Sequence, residues 1–95
     1  MALTILAQIT AAPGKEQIVH DALHKLVAPT RAEAGCLQYD LHRDNDAPGF
    51  FVFYETWESR SLWQAHMNAP HLAEYSRATD GAVTNFVLNE LTKID

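Results

Sequence analysis

Residues 50–57 read "FFVFYETW", and this stretch decides the fold. Nearly all of its side chains are aromatic or β-branched, the types that strands favour. Alternation along a strand places Phe51, Phe53, Glu55 and Trp57 on one face and Val52, Tyr54 and Thr56 on the other. Because both faces carry large apolar groups, the sheet that contains this strand needs cover on both sides.

Three other segments alternate in the same way. Residues 3–10 form the first predicted strand, residues 36–43 the second and residues 86–94 the fourth. The turn cluster "DNDAPG" joins the second strand to residues 50–57 and predicts a hairpin between them.

Helical patterns separate the remaining strands. An apolar stripe from Ile18 to Val27 follows the turn "AAPGKE" and predicts an amphipathic helix that is stopped by Gly35. Ser59 is the predicted N-cap of a second helical region, which Pro70 divides into pieces at about 60–69 and 70–80.

The element order β-α-β-β-α-β predicts a ferredoxin-like α+β fold. In this fold one four-stranded antiparallel sheet carries the helices on one face. A chain of 95 residues fits a single domain, residues 1–95. Only a second subunit can cover the other apolar face of the sheet in so short a chain, so we expect a homodimer.

Charge and composition argue against several partners and compartments. The formal net charge of -5 at pH 7 disfavours nucleic acid, which binds basic surfaces. No apolar run reaches the length of a membrane span, and "MALTILAQIT" has no basic leader, so we expect neither a membrane partner nor a signal peptide. The single cysteine, Cys36, cannot form a disulfide within the chain; we expect it to be a packing residue of a cytoplasmic protein.

His20 and His24 are spaced i, i+4, which can place two imidazoles on one metal ion. On the predicted helix, however, both lie opposite the apolar stripe, and the sequence offers no apparent third ligand. We therefore interpret this pair as part of a solvated face.

His66 lies on the apolar stripe of the second helical region, because it follows Leu62 by four residues and Trp63 by three. It is either a hydrogen-bonded core histidine or a pocket residue, and the pattern leaves both open. His71 lies across Pro70 and shares no helical face with His66, so their spacing predicts no metal site. We expect His71 to shape the turn at the proline.

Glu55 breaks the apolar pattern of its strand, between Phe53 and Trp57. A partnered structural glutamate and a site glutamate fit this position equally well. The chain has no Walker loop and neither a G-x-G-x-x-G nor a G-x-S-x-G motif. The sequence therefore gives no motif support for nucleotide binding, flavin binding or serine-hydrolase activity. We expect an aromatic-walled pocket between sheet and helices with His66 and Glu55 as its ionisable groups, and Met67 as a packing residue.

Three segments carry a resemblance: "EAGCLQY" at 33–39, "YETWES" at 54–59 and "AHMNAPHLAEYS" at 65–76. They resemble the antibiotic biosynthesis monooxygenase family, and its quinol monooxygenase branch most closely. The resemblance implies a dimer of ferredoxin-like subunits whose sheets pack into an α+β barrel. It also implies oxygenation without flavin, haem or metal, so we expect no cofactor.

The resemblance further implies a pocket within each subunit. The matching positions, with the two tyrosines that we add as substrate-binding residues, are Phe53, Trp57, Trp63, His66, Tyr39 and Tyr75. The haem-degrading branch has an asparagine and a tryptophan where this chain has Ala7 and His66, which argues against haem. The branch that makes aromatic polyketide antibiotics has an asparagine where Phe53 stands, which argues against that reaction.

The predicted function is therefore a cofactor-independent monooxygenase that oxidises a hydroquinone or polycyclic phenol with O2 to a quinone. His66 is the expected catalytic base, since imidazole titrates near neutrality, and Glu55 is expected to orient it. The sequence leaves two alternatives open. One is an isomerase of a small phosphorylated, autoinducer-like metabolite, and the other is a non-catalytic dimeric module that binds aromatic metabolites.

Overall fold

A computed structural model describes residues 2–95 of the chain. The strands and helical regions follow each other in the predicted order. In chain order they are β1 Leu3–Ala11, α1 Glu16–His24, α2 Val27–Arg31, β2 Cys36–Arg43, β3 Phe50–Trp57, α3 Arg60–Met67, α4 Pro70–Ala78 and β4 Val83–Leu91.

The four strands form one antiparallel sheet in the order β2-β3-β1-β4. One row of side chains crosses the middle of the sheet: Leu41 is paired with Phe53, Phe53 with Ala7, and Ala7 with Leu88. This topology confirms the ferredoxin-like fold that the sequence predicts. The row also places a small residue, Ala7, between larger ones at the centre of the face that the helices cover.

The first helical region is shorter and more broken than the sequence pattern predicts. It divides into α1 and α2 at Lys25 and Leu26. Pro29 explains the break, because a proline has no N–H to bond the carbonyl of Lys25 and its ring would clash with that carbonyl in a continuous helix. Gly35 ends the connection to β2 with φ +83.

The last strand begins and ends three residues earlier than predicted, at Val83–Leu91 rather than at 86–94. Its register shifts between Thr10 and Ala11 of β1, where a bulge interrupts the pairing. A bulge breaks strict period-two alternation, so the alternation in the sequence did not predict residues 83–85 as part of the strand.

The core lies between the helices and one face of the sheet. Ile5, Ala7 and Ile9 alternate with less buried neighbours along β1, as do Phe51, Phe53, Glu55 and Trp57 along β3. On the opposite face Tyr54, Val87 and Leu91 remain 42%, 39% and 41% exposed in the single chain. In the described part of the chain, no helix is long and apolar enough to cross a membrane.

Candidate active site

A cavity of about 430 Å³ opens between the sheet and the helices. Its walls include Tyr39 from β2, Phe53 and Glu55 from β3, His66 from α3 and Tyr75 from α4. The sequence predicted all five as site residues, and the structure brings them together. Tyr39 and Phe53 stack with ring centroids 4.3 Å apart, which gives the cavity one flat aromatic wall.

The start of α3 determines where His66 points. Ser59 caps the helix, because its hydroxyl accepts a hydrogen bond from the backbone N–H of Leu62 at 3.2 Å. His66 lies one turn beyond Leu62 and is only 2% exposed. Its ring lies 4.8 Å from the ring of Trp57 and 5.6 Å from that of Tyr39, in an edge-on contact with the tyrosine. The prediction that His66 faces the sheet is confirmed.

The hydrogen-bond partner of His66 is Glu33, in the segment between α2 and β2. Oε2 of Glu33 accepts a hydrogen bond from Nδ1 of His66 at 2.6 Å and another from Nε2 of His71 at 2.8 Å. The expectation that Glu55 orients His66 is therefore wrong, since the carboxylate that hydrogen-bonds the imidazole is that of Glu33. His66 and His71 share no helical face, as predicted, but the spacing gave no sign that both donate to one oxygen atom.

The sequence contained one signal for Glu33. This residue begins the segment "EAGCLQY", which carries part of the family resemblance. Helical and strand periodicity could not identify it, because Glu33 lies between regular elements. Its two partners follow it by 33 and 38 residues, so only the folded chain brings them together.

Glu33, His66 and His71 also form a donor set that a metal ion could use. Their ligand atoms all lie within 4.8 Å of one another, and they are the sole group of this kind among residues 2–95. The 2.6 and 2.8 Å separations are hydrogen-bond lengths. Ligands at 2.0–2.2 Å from a tetrahedral zinc ion would stand roughly 3.4 Å apart. The cluster thus fits shared hydrogens better, and the absence of a metal stays a prediction.

The hydrogen bond to Glu33 determines which nitrogen of His66 can act as a base. An ionised carboxylate only accepts, so Nδ1 of His66 carries the hydrogen and Nε2 is left for the cavity. Burial lowers the pKa of His66 below its ordinary value, although the hydrogen bond and negative charge of Glu33 oppose this shift. The imidazole is therefore neutral near pH 7 and able to accept a proton.

Glu55 is both partnered and part of the cavity wall. Its Oε1 accepts a hydrogen bond from Nε1 of Trp57 at 2.9 Å, and the side chain is 4% exposed. Burial raises the pKa of Glu55 to about 7, an effect that the Trp57 hydrogen bond opposes and the charge of Glu33 reinforces. The structure thus gives Glu55 both a hydrogen-bond partner and a place in the cavity wall, and its part in a reaction stays a prediction.

Two of the predicted substrate-binding residues lie outside the cavity lining. Trp57 is fully buried behind His66 and Glu55, where it packs against the first and hydrogen-bonds the second. Trp63 is 7% exposed and its ring faces the guanidinium of Arg60 at 5.9 Å. Trp57 thus supports the wall from behind, and contact of either tryptophan with a substrate stays a prediction.

The exposed part of the cavity lining is mixed, because Ser76 and Asp80 accompany apolar residues there. Met67 and Phe86 belong to it and remain 42% and 53% exposed, and Leu72 of α4 lies in the same lining. Sequence reasoning missed Phe86 and Leu72 and assigned Met67 to packing. The signal for Phe86 was present, because it shares a strand face with Leu88, which also lines the cavity.

The remaining predictions concern surface and packing residues. His20 and His24 stack on each other 6.2 Å apart, and Nδ1 of His20 lies 3.0 Å from Oδ1 of Asp21. His24 is exposed, as expected for a solvated face. Cys36 has a free thiol, packs against the core, and has its pKa raised by burial, which suits a packing residue.

Comparison with known proteins places this architecture in one family. Residues 2–78 match the family described as antibiotic biosynthesis monooxygenase. The chain belongs to the antibiotic biosynthesis monooxygenase family. It is similar to "Probable quinol monooxygenase YgiN" of Escherichia coli K12, with 35% identity over 91 residues that span 85% of this chain and 88% of that protein.

Two solved structures extend the similarity to the whole chain. PA3566 from Pseudomonas aeruginosa superposes with a TM-score of 0.95 and 39% identity, covering 99% of this chain and 95% of that one. Rv0793 from Mycobacterium tuberculosis superposes with a TM-score of 0.91 and 27% identity, covering 100% and 97%. The relatives thus share both the sheet and the helices that enclose the cavity.

Proposed function

We propose that this protein is a cofactor-independent monooxygenase that oxidises a hydroquinone or polycyclic phenol with O2 to a quinone. One observation carries the proposal: His66 has Nδ1 tied to Glu33 and Nε2 left for an aromatic-lined cavity. Membership of a monooxygenase family and the similarity to a protein named as a quinol monooxygenase support it.

The cavity suits a flat, weakly polar ring. Its volume of about 430 Å³ lies within the range of small-molecule pockets. Phe53 and Tyr39 offer ring faces on one side, and Leu72, Leu88 and Ile9 are among the aliphatic lining residues. Such a lining binds an aromatic substrate and keeps water away from reactive oxygen intermediates.

The reaction begins with proton removal. Nε2 of His66 takes the proton of the substrate hydroxyl, and the resulting phenolate is electron-rich enough to transfer one electron to O2. The aryloxyl radical and superoxide combine at a ring carbon that still bears hydrogen. His66 then returns its proton to the distal oxygen and yields a hydroperoxide.

Glu55 is the second proton-handling group. With a pKa of about 7 it is partly ionised at neutral pH and can take the hydrogen of the oxygenated ring carbon as a proton. The C–H electron pair forms the new carbonyl, the O–O bond breaks, and the departing hydroxide receives the proton from Glu55. One oxygen atom ends in the carbonyl and the other in water. A polycyclic phenol thus gives a quinone, and a hydroquinone gives a hydroxylated quinone.

The proposal includes a homodimer formed through the open face of the sheet. Tyr54 on β3 and Val87 and Leu91 on the edge strand β4 are apolar residues of this face that the single chain leaves exposed. Burying such a patch against its own copy would close two sheets into a barrel. The cytoplasm is the proposed compartment, because the single free cysteine suits reducing conditions.

The phosphorylated-metabolite alternative has less support. The described residues that line the cavity include the acidic Glu55 and Asp80 but no lysine or arginine. A phosphate group would need cations or several aligned N–H donors there. Only an experiment distinguishes a non-catalytic binding module from the proposed monooxygenase.

The test is O2 consumption by purified, metal-free protein with simple hydroquinones and anthrones. We expect turnover in the wild type and at least about a hundredfold lower kcat in His66→Ala, the usual scale for loss of a general base. His24→Ala, a change at an exposed histidine, is the matched control and should retain wild-type activity. Equal O2 uptake by wild type and His66→Ala would remove His66 from the mechanism, and tight binding without O2 uptake would identify a binding module.

A further inference from the structure

The shared oxygen of Glu33 lies outside the cavity but controls the residue that lines it. Glu33 is not part of the cavity wall, whereas His66 is. The carboxylate side chain is 17% exposed, and that of His71 is 21% exposed, so the cluster extends from the buried imidazole towards the surface. Neither Glu33 nor His71 has a role in the proposed chemical steps, although both are held at hydrogen-bond distance.

We propose that Glu33 and His71 are positioning residues that hold His66 in the tautomer with hydrogen on Nδ1, so that the bare Nε2 faces the substrate. The inference rests on the proposed function, because it explains how His66 is kept ready to act as the base. It adds two residues that the chemical steps do not require directly.

The hydrogen-bond geometry supports a single tautomer. Oε2 of Glu33 lies 2.6 Å from Nδ1 of His66, a distance typical of a strong, charge-assisted hydrogen bond. If His66 carried its hydrogen on Nε2 instead, two atoms with lone pairs would face each other at this distance. In that tautomer Nε2 would present an N–H donor to the cavity, so it could not accept the proton of the substrate hydroxyl.

His71 has a separate task in this arrangement. Its Nε2 donates to the same oxygen at 2.8 Å, so the carboxylate is held from two directions. His71 is the first residue after Pro70, at the N-terminal end of α4, and the proline fixes the backbone there. The second hydrogen bond thus anchors the Glu33 rotamer and, through it, the ring orientation of His66.

The titratable groups around His66 make the two roles separable. They are Glu33 and His71 in the cluster, Tyr39 on β2 and Glu55 in the same cavity lining. Glu33 raises the pKa of His66, whereas the charge of His71 lowers it. Removing Glu33 should therefore move the pKa of His66 down, and removing His71 should move it up.

The first measurement is the ¹⁵N NMR spectrum of the histidine rings in substrate-free protein. We expect His66 with hydrogen on Nδ1 in the wild type, and a mixed or reversed tautomer in Glu33→Gln, whose amide can donate to Nδ1. The spectrum of His71→Gln, which retains an N–H donor, should stay close to wild type, whereas that of His71→Leu should show a second tautomer. Hydrogen on Nε2 of wild-type His66, or no change in Glu33→Gln, would overturn the proposal without reference to activity.

The second measurement is the pH dependence of kcat and KM. By analogy with loss of an orienting carboxylate in a catalytic triad, Glu33→Gln should lower kcat by about a hundredfold or more with little change in KM. The acid limb of its profile should move to lower pH and that of His71→Leu to higher pH, with a kcat loss of about tenfold for the latter. A rise in KM with unchanged kcat would contradict the positioning role. So would a loss of kcat that is fully explained by the fraction of unfolded protein in a thermal melt.

Two outcomes distinguish this inference from its alternatives. The proposed tautomer in a protein that consumes no O2 with any quinol or anthrone would refute the proposed function and leave the hydrogen-bond arrangement standing. A ¹⁵N shift of both His66 and His71 on addition of equimolar Zn²⁺ would instead show that the cluster is a metal site, and would overturn the positioning role.

Discussion

Nε1 of Trp57 donates a hydrogen bond to Oε1 of Glu55 across 2.9 Å, within one strand and beneath the cavity. The two side chains share a face of β3, since they are two residues apart. The indole gives the buried carboxylate one partner, which reduces the cost of ionising it without removing that cost. This relationship leads directly to a pH-dependent stability.

Glu55→Gln should stabilise the protein at pH 8 and have little effect at pH 5. Because the folded pKa of Glu55 is raised to about 7 from 4.5, the folded protein binds more protons between these values, and stability falls as pH rises through that window. Glutamine keeps an acceptor for Trp57 but has no charge to bury. The gain at pH 8 should be up to about 3 kcal/mol in urea-induced unfolding.

His66 contributes with the opposite sign, so the comparison must be between variants. Its folded pKa is lowered, and its contribution to stability is present above the unfolded value and lost as pH falls. Subtracting the wild-type curve from the Glu55→Gln curve at one protein concentration cancels this contribution. A difference that does not change between pH 5 and 8 would show that Glu55 titrates normally.

Gly35→Ala should destabilise the protein much more than Gly14→Ala. Both glycines have positive φ, +83 and +82, so alanine is strained at either position. A Cβ on Gly35 would also lie 2.5 Å from Cδ1 and 2.8 Å from Cβ of Leu62, whereas a Cβ on Gly14 would contact nothing. We expect losses of about 1 kcal/mol for Gly14→Ala and about 3 kcal/mol for Gly35→Ala.

Chemical denaturation of the two variants measures the difference. The double variant Gly35→Ala/Leu62→Ala should be less destabilised than the sum of its single changes, because the shortened side chain relieves the clash. Additive losses would show that the strain at Gly35 comes from its backbone angle alone.

Ala7→Leu should discriminate between substrates by size. Ala7 occupies the cavity lining between Phe53 and Leu88, and a larger side chain there would extend into the empty volume rather than into packed core. We expect KM for an anthrone to rise by about tenfold or more, with a smaller change for a single-ring hydroquinone. Steady-state O2 consumption with both substrates measures this, and equal changes would mean that the ring does not bind over Ala7.

Tyr54→Lys should abolish the proposed dimer. Tyr54 lies at the exposed apolar face of the sheet, where a charge would have to be buried between two subunits. Gln64→Lys adds the same charge to an exposed position of α3 and is the control. Sedimentation should give a monomer for Tyr54→Lys and a dimer for Gln64→Lys; a dimer in both would place the interface elsewhere.

Sequence patterns could predict most of the fold because its elements are amphipathic. β2 and β3 match the predicted ranges, and Ser59 caps α3 as expected. The break between α1 and α2 was recoverable from Pro29, whose missing N–H overrides the apolar stripe. The start of β4 was not recoverable, because a bulge depends on how a strand pairs with its neighbour.

The same patterns predicted only part of the candidate site. Periodicity identifies the face on which a residue lies, so it placed His66, Phe53 and Glu55 correctly. It does not give depth, so Trp57 and Trp63 were assigned to the lining although neither belongs to it. Periodicity does not predict contacts between segments that are distant in the sequence. The carboxylate that orients His66 was therefore assigned to Glu55 instead of Glu33.

The Glu33 cluster joins the two halves of the chain. The carboxylate comes from the first β-α-β portion and both imidazoles from the helices of the second, at separations of 33 and 38 residues. Neither half contains a complete cluster, so an isolated half cannot form it. The hydrogen bonds at Oε2 can consequently form only after the halves have docked, and the NMR signals of their hydrogens would report that docking.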